Sequence, residues 1–485
     1  MSEVTRRDFF KLALTGALVA GCTPFIDHTL SSNTVTVPEL PPPDRVVHLL
    51  NRATFGATPQ AVNTVREIGV ETWLEAQLND TAINDWEMVA RLRRFNTLEL
   101  TPADLLSFVR VPDRRAVSNE LAAATMTRAV YSKRQLYEKM VHFWSDHFSI
   151  YYFKETTSQL QTIDDREVIR PHALGYFGDM LRASAHSPAM LVYLDNVVNE
   201  RSHPNENYAR EILELHTLGV DGAYTETDVM EVARCFTGWS VDDTGQFQYR
   251  PEWHDDGEKV VLGQTIPASG GKADGDRVLD ILITHPDTAR YISTKLLRRF
   301  IEDDPSDAVV NAISAVWQQS QGHIPTVMRA IFAHDAFWDA PPKFKRPLEY
   351  VLSILRVLGA RYNGGTALVD RLARMGQRPF GNPMPDGYGD TASGWMGSFL
   401  PRWNFVLDVM RDAQASVRIP RNQWVTLAEI GGIDALGDAI LLRPLTDIEQ
   451  QAINTAIKAD GNNLSRDAVF VAMAVLLSSP AFQWR

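Results

Sequence analysis

Apolar residues recur at helical spacing along most of the chain, which predicts a mainly α-helical protein. Strand and helix patterns do not alternate, so a parallel sheet is not expected. The predicted helices are 59–79, 84–97, 115–148 as one long or two shorter helices, 168–185, 189–196, 205–219, 225–236, 276–282, 286–300, 306–318, 325–332, 347–358 and 367–375. The chain beyond residue 404 is also expected to be helical.

Two stretches depart from the helical pattern. In residues 241–263, apolar residues such as Phe247 and Val261 flank polar turns, which predicts a β-hairpin or an irregular arm. Residues 376–404 are rich in Gly, Pro and Trp and predict a long loop, which in a compact protein is usually functional or disordered. Its aromatic residues favour an ordered loop near a site. We therefore expect one large helical domain over residues 46–485.

The N-terminal segment resembles an export signal. The arginine pair at 6 and 7 is typical of a twin-arginine signal, and the apolar run 12–20 is too short to span a bilayer of about 30 Å. Val19–Cys22 resembles a lipobox, where the signal is cut and Cys22 receives lipid. We expect a signal peptide over 1–21, a flexible tether over 22–45, and a lipid-anchored protein on the periplasmic or outer side of a membrane. The alternative is an uncleaved N-terminal anchor.

The charge and cysteine content narrow the function classes. The chain has 485 residues and a formal net charge of −12, which argues against a nucleic-acid partner. It has two cysteines, so a lipid on Cys22 would leave Cys235 without a disulfide partner. Cys235 lies in an apolar helix and is expected to be buried.

The 205–219 segment carries the first candidate site. At 100° per residue, Asn207, Glu211 and Glu214 fall on one narrow stripe of this helix. The carboxylates could bind a divalent metal or could form a structural ion network with a nearby arginine. His216 lies on the opposite face and is expected in the core.

The segment 142–148 carries the second candidate site. His142 and Asp146 are four residues apart and share a helix face, whereas His147 points elsewhere. An imidazole beside a carboxylate suits metal binding or acid–base chemistry, but it also suits a buried hydrogen bond.

If the two helices pack together, a metal site of the kind found in helix bundles could form. We expect a divalent metal held by four ligands, His142, Asp146, Glu211 and Glu214. Of these, Glu211, Glu214 and His142 would act in catalysis.

A third cluster contains His254 and Asp255. It could bind a cation, but its spacing differs from the calcium-loop pattern, so an acidic turn is the other interpretation. Basic residues near Arg299 and Arg346 could bind an anionic substrate or pair with surface acids.

Several longer motifs resemble domain-of-unknown-function family 1800. They are Leu49–Pro59, His142–Phe148, Tyr193–Asn196, 205–219, Phe236–Trp239, His254–Lys259, Lys343–Pro347 and Leu477–Phe482. The resemblance implies an exported bacterial protein, often encoded beside a family 1501 protein that is similar to sulfatases and phosphatases. It implies no established activity.

Two functional hypotheses follow from these observations. The first is a metal-dependent enzyme that acts on an envelope or extracellular polymer. The second is a non-catalytic envelope binding or assembly factor that acts with a family 1501 partner.

Overall fold

Helices dominate the computed structural model, which describes residues 37–459 and 465–485. The helices before the strands are α1 (Arg45–Ala53), α2 (Pro59–Ile68), α3 (Val70–Leu78), α4 (Trp86–Leu92), α5 (Pro102–Leu106), α6 (Val111–Tyr131), α7 (Gln135–His147), α8 (Thr157–Ile163), α9 (Arg170–His172), α10 (Phe177–Ala185), α11 (Pro188–Tyr193), α12 (Asn207–Glu211) and α13 (Glu226–Cys235). Those after the first strands are α14 (Ala273–Thr284), α15 (Pro286–Phe300), α16 (Asp307–Gln319), α17 (Ile324–Ala333), α18 (Asp335–Trp338), α19 (Pro347–Val357), α20 (Ala367–Arg374), α21 (Phe399–Met410), α22 (Arg421–Ile440), α23 (Asp447–Ala459), α24 (Arg466–Ser478) and α25 (Pro480–Gln483). The mainly α prediction is confirmed.

The strands form three small antiparallel pairs within the described residues. They are β1 (Trp239–Val241), β2 (Phe247–Tyr249), β3 (Lys259–Val261), β4 (Gln264–Ile266), β5 (Arg361–Tyr362) and β6 (Val417–Arg418). Pairing of β1 with β2 and of β3 with β4 gives two hairpins, where the sequence predicts one hairpin or an irregular arm. The third pair joins the loop after α19 to the segment before α22.

Several predicted helices end earlier than their apolar pattern indicates. The 59–79 segment breaks at Gly69, whose φ of 89° is outside the helical region and ends α2. The 115–148 segment is two helices, α6 and α7. The long loop is shorter than predicted, because α21 begins at Phe399 and leaves residues 376–398 outside regular α-helix. We call this segment the 376–398 loop.

Buried apolar side chains form two large cores. The first is built from residues between Val47 and Phe337, and the second mainly from residues between Leu348 and Phe482. Residues from the C-terminal half of α6 also pack into the second core. Helices α7 and α15 face α19 where the two cores meet, and this seam is polar. The candidate site lies beside it.

The described part of the chain begins with residues 37–44, which are outside any helix or strand. Asp44 then caps α1 by accepting a hydrogen bond of 2.9 Å from the Val46 N–H. The predicted signal peptide and Cys22 lie outside the described residues. Among the described helices, none has both the length and the apolar content to cross a membrane.

Candidate functional site

The 205–219 segment is not a regular α-helix throughout. Helix α12 passes into a π-helical turn at Ile212–Thr217, where the Leu218 N–H donates to the Leu213 carbonyl five residues earlier, at 2.8 Å. The wider turn changes the rotation per residue, so α-helical spacing no longer predicts the direction of the side chains beyond Glu211. π-Helical turns inside helices are frequent at functional sites.

Glu211 and Glu214 have different surroundings. The Glu214 carboxylate lies 3.4 Å from the Arg210 guanidinium, which also binds Glu226 at the surface. Glu211 is half-buried and forms no hydrogen bond or ion pair within residues 37–459 and 465–485. Burial, and then the nearby carboxylates of Glu214 and Asp386, raise the pKa of Glu211. Glu211 is therefore the unpaired carboxylate of this helix.

Asn207 has a structural partner. Its side-chain amide donates to the Asp195 carboxylate at 3.0 Å, and Lys154 binds the same carboxylate at 2.7 Å. These contacts tie the start of α12 to the turn after α11.

His142 and Asp146 are linked through arginine rather than directly. The Arg346 guanidinium donates to Nδ1 of His142 at 3.2 Å and to the Asp146 carboxylate at 2.8 Å. Because arginine only donates, Nδ1 of His142 must be unprotonated. Nδ1 and the Asp146 carboxylate lie 3.4 Å apart, but both are acceptors, so no hydrogen bond joins them. Burial is the main reason that the pKa of His142 falls to about 4. His142 is neutral at pH 7 and already accepts a hydrogen bond at Nδ1.

The Asp146 carboxylate belongs to a buried ion network at the seam. Arg299 binds Asp146 at 3.1 Å and Asp390 at 2.9 Å, and Arg346 lies 3.5 Å from Asp390. Both guanidiniums are 1% exposed, so these ion pairs are shielded from water. Burial alone would raise the pKa of Asp390, but Arg299, Arg346 and Lys343 together lower it to about 2. Arg299 and Arg346 therefore pair with acids that are largely shielded from water.

The two candidate helices meet through histidines. Nε2 of His147, at the end of α7, lies 3.1 Å from the backbone carbonyl of His216 in the π-helical turn. A carbonyl only accepts, so Nε2 carries the proton and Nδ1 has a lone pair. The Lys295 ammonium of α15 donates to that lone pair at 3.0 Å. His147 of α7 thus contacts both the π-helical turn and Lys295 of a third helix, α15.

Lys295 lines a cavity of about 180 Å³. We call it the Lys295 cavity, and its walls come from the end of α7, from α15 and from the 376–398 loop. Its polar lining residues are Asp146, His147, Lys295, Arg298, Arg299, Asp386, Tyr388, Asp390 and Thr391. Asp146 and Asp390 are held by the buried arginines, whereas Lys295 forms no ion pair in the described part of the chain.

The Lys295 amine is set up for proton transfer near neutral pH. Burial lowers its pKa from 10.5 to about 8, and Arg299 lowers it further, while Asp390, Asp146 and Asp386 act against this. Burial also lowers the pKa of His147 well below its usual value, so His147 stays a neutral acceptor. The carboxylate of Asp386 raises the pKa of Lys295 and also that of Glu211.

The structure does not bring the four expected metal ligands into one group. His142 and Asp146 lie in the arginine network, Glu214 lies beside Arg210, and Glu211 lies near Asp386. Within the described residues, no group of three or more His, Cys, Asp and Glu side chains is arranged to bind a metal ion. The divalent metal stays a prediction.

The His254 and Asp255 cluster lies in the segment that leads into the second hairpin. His254 is fully buried and lies 3.2 Å from the Asp274 carboxylate, which also binds Lys259 at 2.6 Å. Asp255 binds Arg234 at 2.8 and 3.2 Å. These side chains have protein partners and fix the hairpin against α13 and α14.

Sequence reasoning missed Lys295, Asp386 and Asp390. Tyr291, Lys295 and Arg299 are spaced four apart and so share one face of α15, which was the available signal. Asp386 and Asp390 lie in the 376–398 loop, and outside regular helices and strands the spacing of residues in the sequence does not predict where their side chains point. Cys235, by contrast, is buried as expected.

Comparisons with known proteins give one result. A family model described as "Protein of unknown function (DUF1800)" matches residues 48–484, which include both cores and the Lys295 cavity. No curated protein and no solved structure matches the chain.

Proposed function

The chain belongs to the DUF1800 family, whose function is unknown, and we propose that it is an enzyme that performs acid–base chemistry at the Lys295 cavity. In this proposal the amine of Lys295 removes a proton from the substrate. The carboxyl group of Glu211, which is not among the residues that line the cavity, supplies a proton. Asp386 lines the cavity and raises the pKa of both groups, and in this proposal it connects them.

The hydrogen bond between Lys295 and neutral His147 carries the proposal. Lys295 lines the cavity and forms no ion pair among the described residues, so its charge does not serve to neutralise a buried carboxylate. His147 orients the amine and cannot take its charge, since its other nitrogen is bound to the His216 carbonyl. With a pKa of about 8, about a tenth of Lys295 is unprotonated at pH 7 and can act as a base.

Glu211 supports the proposal as the complementary acid. Burial raises its pKa, and it has no hydrogen-bond partner of its own in residues 37–459 and 465–485. Burial lowers the pKa of Lys295 and raises that of Glu211, so both values move towards neutral pH.

The proposed substrate is a hydroxyl-rich polymer of the cell envelope. A cavity of about 180 Å³ accepts one small group of a larger molecule rather than a whole ligand. Exposed Arg298 at the cavity favours a substrate that is anionic near the reacting group. The envelope location is supported by the twin-arginine and lipobox motifs and by Cys22, which we propose carries the lipid.

The first test measures the reactivity of Lys295 itself. Reductive methylation of the full chain at pH 7.5, followed by peptide mass spectrometry, should modify Lys295 in preference to the exposed Lys133. Prior opening of the cavity is not required, because Lys295 is only half-buried. If Lys295 titrates above pH 10, the proposal is wrong.

The second test uses turnover. Wild type, Lys295→Met and Glu211→Gln are incubated with envelope polymer fractions, and released products are measured by mass spectrometry. Wild type should release products, and both variants should lose at least about 100-fold in rate while melting within a few degrees of wild type. Asp221→Asn, an exposed change, is the control. Unchanged turnover in Lys295→Met would also refute the proposal.

The assembly factor remains the alternative proposal. In that case a family 1501 protein would co-purify with the chain, and Lys295→Met would have no effect on function in the host.

A further inference from the structure

A second pocket of the molecule is lined by arginines and by no acid. It has a volume of about 680 Å³, and we call it the arginine groove, defined by Arg91, Arg94, Arg356, Arg361 and Tyr131. The chain as a whole has more acids than bases, with 60 Asp and Glu against 48 Lys and Arg. The groove lining has four guanidiniums and no carboxylate, so its charge is positive whereas the net charge of the chain is negative.

None of the four arginines has its charge neutralised by the protein. Within residues 37–459 and 465–485, none of them forms an ion pair with a carboxylate. Many other arginines of the chain do form such pairs, for example Arg299 and Arg346 at the seam. The unpaired charges are consistent with a site for an external anion.

The groove is held open by hydrogen bonds to backbone carbonyls. Arg356 donates to the carbonyls of Gly56 and Val130 at 3.0 Å each, and these two bonds use two of its five N–H groups. Arg94 donates to the carbonyls of Arg91 and Asn363 at 3.0 and 2.8 Å. Two guanidiniums are thus fixed in place with donors to spare, which is the preorganisation that anion binding needs.

The other two arginines have different surroundings. The guanidinium of Arg91 stacks on the ring of Tyr131 at 3.9 Å from its centroid. Arg361 lies directly opposite Arg418 in the β5–β6 pair, where like charges normally destabilise. Arg418 has Asp412 as a partner at 3.4 Å, so Arg361 is the charge that is left over.

We propose that the arginine groove binds a ligand with two or more oxyanions, either phosphates or carboxylates. Guanidiniums bind both groups through paired, charge-assisted hydrogen bonds. The volume suits a ligand of the size of a disaccharide or a diphosphate. The residues of this groove differ from those of the Lys295 cavity, so the inference does not depend on the proposed activity.

The test is calorimetric titration of the full chain at low salt. Inorganic pyrophosphate and digalacturonate are the probes, and they distinguish a phosphate ligand from a carboxylate ligand. At least one should bind, and its affinity should fall as salt rises. Arg361→Gln and Arg91→Gln should each weaken binding by about tenfold or more, because a hydrogen bond to a charged group is lost.

Two controls make the outcome decisive. Arg277→Gln removes an exposed arginine of α14 far along the chain from the groove and should leave the affinity within about twofold. In wild type, the bound probe should protect Arg91 and Arg361 from phenylglyoxal, a measurement that needs no variant. The inference is overturned if neither probe binds, if Arg277→Gln weakens binding as much as Arg361→Gln, or if neither arginine is protected.

Discussion

Replacing Asp390 with asparagine should destabilise the protein in a pH-dependent way. Asp390 is the acid that Arg299 and Arg346 share with Asp146, and it is 14% exposed. Asparagine keeps the size of the side chain but removes the charge. The two buried guanidiniums would then have only Asp146 as a carboxylate partner at this point, which leaves positive charge uncompensated in the interior.

The magnitude follows from the pKa of Asp390. A fall from 3.8 in the unfolded chain to about 2 in the folded protein corresponds to about 2 kcal/mol of stability at pH 7. Because the folded pKa is the lower one, this contribution is complete above pH 3.8 and is lost as the pH falls towards 2. About half of it should remain at pH 3. Breaking a buried ion pair can add to this and bring the total loss to about 3–5 kcal/mol at pH 7.

Urea denaturation, followed by tryptophan fluorescence at several pH values between 7 and 3, measures the effect. The difference in unfolding free energy between wild type and Asp390→Asn should be largest at pH 7 and should narrow below pH 4. Asp243→Asn, in the turn between β1 and β2, is the matched control and should stay within about 0.5 kcal/mol of wild type. A difference that stays constant from pH 7 to pH 3 would refute the reasoning, because the carboxylate charge would then not be its source.

Three further changes test other parts of the structure. Gly387→Ala should lower the melting temperature and distort the Lys295 cavity, because φ is 73° and the new Cβ would lie 1.9 Å from the Asp146 carbonyl oxygen. A Cβ at Gly389 would have no atom within 4 Å, so Gly389→Ala is the control and should melt like wild type. Lys139→Met should cost about 1.5–3 kcal/mol in urea denaturation, because Glu349 loses one buried partner at 3.0 Å while it keeps Arg485 at 2.9 Å. An equal loss in an exposed-lysine control, Lys133→Met, would contradict this. Thr225→Ala should cost about 1 kcal/mol through loss of the α13 cap, and Thr225→Ser should restore it.

Helix positions were largely predictable because apolar spacing determines which face a helix buries. The bounds of α15 agree with the predicted 286–300, and the Thr225 capping box begins α13 as its sequence indicates. The break at Gly69 was harder to predict, since a single backbone angle determines it.

The candidate site was predictable only in part. The sequence offers the contact between the two helices as a condition for the site, and it does not identify the third helix that supplies Lys295. Spacing along one helix constrains direction only while the helix stays regular, and the π-helical turn after Glu211 ends that regularity. The pairing of His142 with Arg346 joins residues 204 positions apart, which no local pattern could indicate.

The π-helical turn at Ile212–Thr217 has a consequence for how this segment tolerates changes in length. Such a turn is equivalent to a regular α-helix with one surplus residue, and the surplus is accommodated without moving either flank. A chain shortened by one residue here would wind as an ordinary α-helix. The backbone carbonyl of His216 would then rotate away from the His147 ring, and the lysine beyond it would lose the neighbour that orients it. The one surplus residue of this turn therefore maintains the contacts among the π-helical turn, α7 and α15.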